Sequence, residues 1–442
     1  MTNIIGASYV IGPEGTILEK GGLVYQDDTI RMVGTYEQCL KTFPESPKQF
    51  FFQAVLAPGF INAHMHLYGV LAHGLVSPVP LTGFSGFLND FWWPYIENRI
   101  DEELLGPAVQ LAALTLLESG VTTVCDVLEA PNMHETGLEL EAKILHRLGM
   151  RAVLSLEASE RISPENGMQC LQANARFIEA HRNDLLISSL LCLHTAITCP
   201  ESFIQKAISL KKEVDCGLQL HLNESSYEPL WCQAHHGKRT ALWYGDIGLL
   251  GEDLLAAQCV QLSDKEIATL ADHKVRAVHV PLSNCEVGGG IAPIPKLLKT
   301  SISVGLGTDG YVNNFFAVMR GAFLIHKGYL EDGSVMPAKT VWALATEEGA
   351  KAVYGREARN GSLQKGYLAD FQVISVRRIP TLITKDNIWE QVLLFCDPQD
   401  VREVCIGGTW VKQGGKLLTG NLGEATKACK KAAGKLWSRE MQ

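Results

Sequence analysis

The hydrophobic pattern of the chain changes near residue 58. Before that point, short segments with alternating apolar and polar positions, such as IIGASYVIG and TILEKGGLVYQ, are separated by glycine-rich turns. Such alternation is typical of half-buried β-strands. After that point, β-rich apolar runs alternate with segments in which apolar residues recur every three to four positions, the pattern of amphipathic helices. The change predicts a β-domain followed by an α/β-domain.

The second region contains eight apolar runs that we interpret as strands: 60–66, 121–127, 151–157, 186–194, 216–222, 254–260, 274–280 and 301–307. Helical patterns lie between them, for example at 103–120, 200–213 and 263–272. In the last of these, Ser263 is a predicted N-cap with Glu266 as its capping-box partner. Eight strand–helix units are the number that a closed parallel barrel requires. The predicted fold class is therefore α/β, with a (β/α)8 TIM-like barrel over residues 58–360.

Further strands are predicted after the barrel, in DFQVISV, REVCIGGTWVKQGG and KLLTG. We expect them to complete a small β-sandwich domain built from both termini. Residues 1–57 would form its N-terminal half and residues 361–422 its C-terminal half. Residues 423–442 are predicted to form a C-terminal helix.

Composition excludes several classes of protein. With 46% hydrophobic and 20% charged residues the chain is ordinary for a globular protein, and its net charge of −9 without basic runs argues against a nucleic-acid or membrane partner. The N-terminus lacks the pattern of a signal peptide, and no apolar run is long enough to cross a bilayer. Twelve cysteines without Cys-x-x-Cys spacing indicate reduced thiols. We expect a cytoplasmic protein.

A His-x-His pair, His64 and His66, ends the first apolar run of the barrel region in PGFINAHMHL. Side chains two residues apart on a strand point to the same side, so both imidazoles can face one metal ion. His221 closes the run CGLQLHL, and Asp309 closes ISVGLGTDG. Three histidines and an aspartate at predicted strand ends indicate a metal-dependent hydrolase, because catalytic groups of such barrels lie at the carboxyl ends of strands.

The run 186–194 and its flanks contain no lysine that could be carboxylated and bridge a second metal, which favours a single ion. With three imidazoles and one carboxylate, zinc is the preferred divalent cofactor, and iron and manganese are the alternatives.

Glu224, three residues after His221, is a candidate to carry a proton between water and substrate, although a loop glutamate is usually solvated. The metal would lower the pKa of a water molecule, Asp309 would accept the water proton, and Glu224 would donate one to a ring nitrogen. The reaction class is hydrolytic attack on an sp² carbon, with ammonia or another heteroatom leaving.

The segments PGFINAHMHL, HTAITCP, HLNES, HVPLSN and GLGTDG occur in the order found in the amidohydrolase superfamily. The chain most resembles its mononuclear branch of aminohydrolases and chlorohydrolases, which includes methylthioadenosine/S-adenosylhomocysteine deaminases, guanine-type deaminases and triazine hydrolases. The resemblance covers essentially the whole chain. It implies that the metal ligands are His64, His66, His221 and Asp309, and that Glu224 is the proton shuttle.

The resemblance also implies substrate contacts. His194 is similar to a strand-four histidine that contacts substrate, and Glu97 is similar in placement to a glutamate that binds ribose hydroxyls, although a solvated helix end is equally compatible. His279 is similar to a strand-seven histidine that lines the site, with a buried core role as the alternative. Trp92, with its neighbours Phe91 and Trp93, could stack on a planar ring, although aromatic clusters more often serve packing.

The chain departs from the family at the end of strand six. In LLAAQCVQL, Gln258 stands where the family has a histidine that orients the attacking water, and Gln261 replaces a second histidine. Glutamine can bind the water but cannot take up a proton near neutral pH, so the predicted cost is on the order of 10²–10⁴-fold in rate. Asn313 replaces a serine that follows the metal aspartate in nucleoside deaminases, and we assign it to substrate binding.

The leading hypothesis is a zinc-dependent deaminase of an aminated N-heterocycle, with a purine or purine nucleoside as substrate. The second hypothesis is a hydrolase that removes a halide, alkylamine or thiolate from a triazine- or purine-like ring. A catalytically silent scaffold is a more distant third, because such proteins lose metal ligands and all four are present here. The family resemblance also implies a homodimer or larger homo-oligomer.

Overall fold

The computed structural model describes residues 1–438. The strands, in chain order, are β1 Thr2–Ile11, β2 Ile17–Gln26, β3 Thr29–Thr35, β4 Lys48–Pro58, β5 Phe60–Met65, β6 Val121–Leu128, β7 Arg151–Leu156, β8 Ile187–Ser189, β9 Leu191–Cys192, β10 Leu218–Leu222, β11 Leu254–Gln258, β12 Arg276–His279, β13 Val304–Leu306, β14 Phe371–Ser375, β15 Val401–Ile406, β16 Thr409–Gln413 and β17 Lys416–Leu417.

The helices, in chain order, are α1 Tyr36–Thr42, α2 Gly83–Gly86, α3 Trp93–Tyr95, α4 Glu102–Glu118, α5 Gly137–Leu148, α6 Pro164–Ala180, α7 Glu201–Glu213, α8 Tyr227–His236, α9 Thr240–Asp246, α10 Asp264–Asp272, α11 Pro281–Glu286, α12 Ile294–Leu297, α13 Phe315–Leu330, α14 Ala338–Leu344, α15 Glu347–Tyr354, α16 Ile388–Phe395 and α17 Leu422–Ser438. The capping box predicted for α10 is confirmed: Ser263 Oγ accepts from Glu266 N, and the Glu266 carboxylate accepts from Ser263 N.

Strands from both ends of the chain share one eight-stranded sheet, in the order β17-β16-β15-β14-β4-β1-β2-β3. Its centre is β4, which lies parallel to β1 and antiparallel to β14. Alternation of apolar positions explains this arrangement, because one side of each strand contributes to a separate hydrophobic cluster that includes Leu23, Leu56 and Phe371. The two ends of the chain are therefore joined through β4 and β14.

The central part of the chain is α/β, with two parallel sheets in the orders β5-β6-β7-β8 and β13-β12-β11-β10-β9. The prediction of one continuous strand at 186–194 is wrong. This segment forms two short strands, β8 and β9, which are separated at Leu190. The division occurs because the chain changes its hydrogen-bonding partner there, from β7 to β10.

The two parallel sheets meet at both edges. At one edge, Met65 forms a parallel bridge with Asp309, and the carbonyl oxygen of His64 accepts from the amides of Thr308 and Asp309, each at 3.1 Å. At the other edge, Ala158 forms a parallel bridge with Leu193. The carboxyl ends of all these strands are consequently brought to one region of the molecule.

Helices cover the parallel strands through their apolar sides. In α4, for example, Asp101 caps the first turn by accepting from Leu104 N, and Leu104, Ala108 and Ala112 are fully buried. The last helix, α17, packs on α4, and its Trp437 indole donates to the carbonyl of Leu71. Residues 439–442 of the predicted C-terminal helix lie outside the described residues. Within residues 1–438, no helix is both long and apolar enough to cross a membrane.

Candidate metal centre and active-site cavity

The four predicted metal ligands lie together at the carboxyl ends of strands. His64 and His66 come from the end of β5, His221 from β10, and Asp309 from just after β13. The ligand atoms of the three histidines lie within 4.8 Å of one another, and all three side chains are buried. Asp309 Oδ1 is 2.9 Å from His66 Nε2 and 3.6 Å from His64 Nε2. Three imidazoles and a carboxylate therefore converge on one point.

The donor set fits a divalent cation. His64 is 1% exposed, yet neither of its ring nitrogens has a hydrogen-bond partner, an arrangement that is costly for a buried polar group unless something else binds it. His66 Nδ1 donates to the carbonyl of Val127 at 2.8 Å, which fixes the tautomer and leaves a lone pair on Nε2. Neutral imidazole nitrogens with one carboxylate are typical ligands of zinc.

Electrostatic interactions within this cluster are strong. Burial lowers the pKa of His66, but Glu129 and Asp309 outweigh that effect and raise it well above the usual value. Burial raises the pKa of Asp309, but the neighbouring imidazoles of His64 and His66 outweigh that effect and bring the pKa well below the usual value. Burial lowers the pKa of His64 and His221. The carboxylates of the cluster thus favour a positive charge at its centre. The imidazoles of His64 and His221 stay neutral, which is the form that binds a metal ion.

The backbone is strained at the strand ends that form the site. Asp309, Gln258, Cys259 and Asn223 have φ values of 57°, 75°, 53° and 51°, in the left-handed region that non-glycine residues rarely adopt. Such conformations cost on the order of 1–3 kcal/mol each and persist only where surrounding contacts impose them. Their concentration here supports a functional role for these strand ends.

Gln258 is fixed by a polar network at the end of β11. Its Nε2 donates to Asp309 Oδ2 at 3.1 Å, and its Oε1 accepts from Asn284 Nδ2. Ser283 Oγ donates to the same Asp309 oxygen at 2.6 Å. Ser283 and Asn284 belong to the segment HVPLSN, but no role for either residue was predicted from the sequence. The network orients the Asp309 carboxylate so that its other oxygen faces the imidazoles.

A cavity of about 580 Å³ opens beside this centre. It is lined by His66, His221 and Asp309, and also by the predicted residues Glu224, Gln258, His194, Glu97 and Trp92. Further from the metal centre its wall is apolar and aromatic, with Phe84, Phe87, Leu88 and Phe91. Phe87–Trp92 form a π-helical turn, a distortion common at functional sites. The volume suits a ligand of nucleoside size.

Glu224 and Glu97 have unusual surroundings for carboxyl groups. Burial raises the pKa of Glu224 well above its usual value, with a further contribution from Asp309. Glu97 is 1% exposed and pairs with Arg161 at 2.8 Å, so the alternative of a solvated helix end is wrong. Burial and the neighbouring Glu129 raise its pKa well above the usual value. A carboxyl that holds a proton near neutral pH can act as an acid.

His194 follows β9 and lines the cavity. Its Nδ1 is 2.8 Å from Thr198 Oγ1, and the indole of Trp93 packs edge-on against the ring at 5.7 Å. These contacts fix the orientation of the imidazole. Trp93 itself is not a lining residue, in contrast to Trp92 and Phe91.

Three other residues singled out in the sequence, His279, Asn313 and Gln261, are not among the described residues that line the cavity. His279 is buried, with its Nε2 3.1 Å from His326 Nε2. Asn313 is buried, and its carbonyl accepts from Ser119 Oγ. Gln261 donates to the carbonyl of Gly289. For His279 and Asn313, contact with substrate stays a prediction.

The sequence reasoning missed a second group of buried residues beside the cavity. Glu129 follows β6 and Glu157 follows β7, and their carboxylates lie within 4.8 Å of each other and of Glu97. Tyr68 donates to Glu129 Oε2 at 2.6 Å, and Arg161 lies 3.5 Å from Glu157. The sequence signal that could have identified Glu129 and Glu157 is their position, because both lie at the ends of apolar strand runs, as His221 and Asp309 do.

Comparison with known proteins supports the resemblance found in the sequence. The profile of the amidohydrolase family matches residues 55–411, which include all four predicted ligands. The chain is 31% identical to a 5-methylthioadenosine/S-adenosylhomocysteine deaminase of Syntrophobacter fumaroxidans, over 95% of this chain and 94% of the relative. It is 30% identical to a 5'-deoxyadenosine deaminase of Methanopyrus kandleri, over 92% and 93% of the two chains.

The fold is also similar to that of a zinc-bound adenosine deaminase from Xanthomonas campestris. The TM-score is 0.87 at 22% identity, with 99% of this chain and 98% of that chain covered. At this identity the similarity concerns the fold. The resemblance predicted from the sequence motifs is confirmed.

Proposed function

Because this chain belongs to the amidohydrolase family, we propose that it is a metal-dependent hydrolase that deaminates an aminated purine, with a purine nucleoside as the substrate class. The strongest support is the convergence of three imidazoles and one carboxylate beside a cavity of nucleoside size. The deaminase names of relatives that match over nearly the whole chain favour ammonia as the leaving group.

We further propose that the two parallel sheets form one closed (β/α)8 barrel over residues 58–360. The bridges that join their edges support closure. The eight-stranded sheet would belong to a β-sandwich domain formed by residues 1–57 and 361–422, followed by the C-terminal helix from residue 423. Active sites of such barrels lie at the carboxyl ends of the strands, where the cavity opens.

The proposed metal ligands are His64, His66, His221 and Asp309, and zinc suits this donor set better than iron or manganese. A divalent ion bound there would supply a water nucleophile at neutral pH by lowering the water pKa. Asp309 would accept a proton from the water, and Glu224 would donate one to a ring nitrogen. The water oxygen replaces the amino group on the ring carbon, and ammonia leaves.

The remaining residues of the cavity would bind and orient the substrate. Gln258 would hold the water through its amide, whose position is fixed by Asn284 and Asp309. His194 would contact the heterocycle, and Trp92 would stack on it. Glu97 would accept hydrogen bonds from ribose hydroxyls. Cytoplasmic location and a homodimeric assembly stay predictions of the sequence.

The test is ammonia release by metal-loaded protein from a panel of adenosine derivatives, guanine, pterins and aminotriazines. We expect turnover of adenosine derivatives and loss of that turnover after removal of metal by a chelator, with recovery on adding zinc. Chloride or thiol release from substituted triazines or purines, without ammonia release from any amine, would favour the second hypothesis. Purified protein that contains no metal and takes up none would contradict both.

A further inference from the structure

Glu224, the proposed acid, lies on a short turn between β10 and α8. Asn223 precedes it with a φ of 51°, a left-handed conformation that a non-glycine residue keeps only where its contacts impose it. On the other side of Glu224 the chain passes close to Gly289, where a Cβ atom would lie 2.3 Å from the Glu224 carbonyl oxygen. The direction of the Glu224 side chain therefore depends on the contacts that hold this turn.

Three hydrogen bonds hold Asn223, which is fully buried. Its amide donates to Glu228 Oε2 at 2.5 Å. Its carbonyl oxygen accepts from the amide of Gln261 at 2.9 Å, and its side-chain amide donates to Glu266 Oε1 at 3.0 Å. Both glutamates are buried, so the strained residue before Glu224 is fixed from the protein interior.

Glu228 connects this turn to the turn that follows β9. It lies in the first turn of α8 and is 4% exposed. While its Oε2 accepts from Asn223, its Oε1 accepts from the amide of Ala196 at 2.9 Å. Ala196 is two residues after His194, so one carboxyl group joins the turns that carry His194 and Glu224. Burial raises the pKa of Glu228 to about 7, although the two amide hydrogen bonds oppose that effect.

The ionised carboxyl of Glu228 offers an acceptor to each of the two amides. A glutamine in its place has one acceptor oxygen and one NH2 group, so one backbone amide would face a donor. A buried amide without an acceptor is costly, and the turn that carries it would shift. Glu228 is not among the described residues that line the cavity, so its effect on the reaction must pass through the residues it holds.

We propose that Glu228 is a positioning residue that holds Glu224 in place for proton transfer by fixing the amide of Asn223 against the turn that follows β9. This proposal rests on the proposed deaminase function and adds to it a residue that does not touch the substrate. A purely structural role is the alternative, because a glutamate in the first turn also stabilises a helix through its dipole. Only the positioning role changes catalysis by protein that is correctly folded.

The test is a double-mutant cycle of Glu228→Gln with Glu224→Gln, in zinc-loaded protein at a pH above 8, where Glu228 is ionised. The measured quantities are kcat for ammonia release from 5'-deoxyadenosine and the dissociation constant of the product, 5'-deoxyinosine. Displacing a reacting group by about 1 Å can cost about 100-fold in rate, so Glu228→Gln should lower kcat by about that factor. Product affinity should change by less than about threefold, because the loss concerns the transition state.

In the Glu224→Gln background, Glu228→Gln should lower kcat by less than about threefold, because the group that Glu228 positions is already absent. An equal effect in both backgrounds would show that Glu228 does not act through Glu224 and would overturn the proposal. Should Glu228→Gln fail to fold, Glu228→Asp keeps the charge but is one methylene shorter and cannot reach both amides. It should lower kcat by at least about tenfold with the same dependence on Glu224.

Glu403→Gln is the matched control. Glu403 is also buried, at 5% exposed, and its carboxyl accepts from the amide of Gly414 at 3.1 Å, but it lies on β15 in the sheet formed by both chain ends. This variant should melt at a lower temperature and keep its kcat. If it lowers kcat as Glu228→Gln does, the loss of any buried carboxylate explains the effect and the proposal is wrong.

Crystal structures of the unaltered protein and of Glu228→Gln separate this proposal from the proposed function. The Glu224 carboxyl should move by about 1 Å or more in Glu228→Gln and stay in place in Glu403→Gln. If the unaltered protein releases no ammonia but the carboxyl moves, deamination is wrong and the positioning role stands. If ammonia is released and Glu228→Gln changes neither kcat nor the carboxyl position, deamination stands and the positioning role is wrong.

Discussion

Asp309 is the residue on which the metal centre and the polar network meet. Its Oδ1 lies 2.9 Å from His66 Nε2, while its Oδ2 accepts from Ser283 and Gln258. Both lone pairs of Oδ2 are thereby occupied, so a water proton must approach through Oδ1. Because Gln258 cannot take up a proton, the chain lacks a second base where a histidine would provide one.

Replacing Gln258 with histidine should therefore raise turnover. The left-handed backbone at φ 75° tolerates histidine better than most residues, and an imidazole nitrogen can pair with Asn284. We expect Gln258→His to raise kcat by at least about tenfold near neutral pH, with unchanged metal content. The pH profile of kcat should gain a limb in the range where imidazole titrates. Steady-state ammonia release between pH 5 and 9 checks both expectations.

Gln261→His is the matched control for this change, because Gln261 lies off the cavity wall and donates to the carbonyl of Gly289. It should leave the pH profile unaltered. Loss of metal from Gln258→His, or an equal effect of both variants, would contradict the assignment of Gln258 to the attacking water.

Removing His64 should remove the metal ion. Both ring nitrogens of this buried side chain lack a protein partner, so its structural value without a ligand is small. We expect His64→Ala to weaken zinc binding by more than about 100-fold. Loss of a residue that only hydrogen-bonds to a metal ligand typically weakens metal binding by about 10- to 100-fold, and loss of a ligand itself should exceed that range. Elemental analysis after dialysis at fixed free zinc measures this effect. His235→Ala, at an exposed position stacked on Trp231, is the control and should retain its zinc; equal zinc content in both variants would refute the ligand assignment.

At the scale of secondary-structure elements, the residues of the site lie at or just after the carboxyl ends of the strands. His66 follows β5, Glu129 follows β6, Glu157 follows β7, and Gln258 ends β11. The strand pattern and the family motifs predicted the positions that carry metal-binding residue types. Glu129 and Glu157 lie in equivalent places, but a glutamate after a strand is common in loops, and only packing around Tyr68 and Arg161 distinguishes these two.

The break in the fourth strand and the position of His279 could not be predicted from the sequence either, because both depend on tertiary contacts. The break of the fourth strand at Leu190 depends on which neighbour each half pairs with, and pairing partners are tertiary information. The position of His279 behind the cavity depends on His326, which lies 47 residues away on α13. The capping box at Ser263 was predictable because it is a local interaction that needs only four consecutive residues.

The contact between β12 and α13 predicts a dependence of stability on pH. Burial lowers the pKa of His326 to about 4, against about 6.5 for an unfolded chain. Between these values the unfolded state binds a proton that the folded state does not, so stability falls as pH decreases from about 6.5 to about 4. The loss is on the order of a few kcal/mol, because a difference of one pKa unit between the folded and unfolded states corresponds to about 1.36 kcal/mol.

His326→Gln keeps a hydrogen-bonding side chain beside His279 and removes this titration. Its melting temperature should decline less between pH 7 and pH 4.5 than that of the unaltered protein, measured by calorimetry. His273→Gln changes an exposed histidine and should follow the unaltered protein. Parallel curves for all three proteins would show that His326 does not titrate during unfolding in this range.

At the scale of the whole molecule, a buried ion pair connects the parallel strands to the sheet formed by both chain ends. Arg151, at the start of β7, contacts Asp370, just before β14, through two hydrogen bonds of 2.7 and 3.2 Å. Asp370 is 2% exposed, and it also accepts from the amide of Gly407. Removing one partner of such a pair leaves an uncompensated buried charge, at a cost of about 3–5 kcal/mol.

Asp370→Asn should therefore destabilise the whole protein without altering the metal centre. We expect the melting temperature to fall by several degrees. The zinc content per folded chain should stay constant, because Asp370 contacts Arg151 at the amino-terminal end of β7, whereas the metal centre lies at the carboxyl ends of the parallel strands. Lys238→Ala breaks an exposed pair with Asp246 and should change stability by less than about 1 kcal/mol. If Asp370→Asn melts as the unaltered protein does, the Arg151–Asp370 pair does not stabilise the junction between the two parts of the molecule. If it loses zinc while keeping its melting temperature, Asp370 acts on the site rather than on the junction between the two parts.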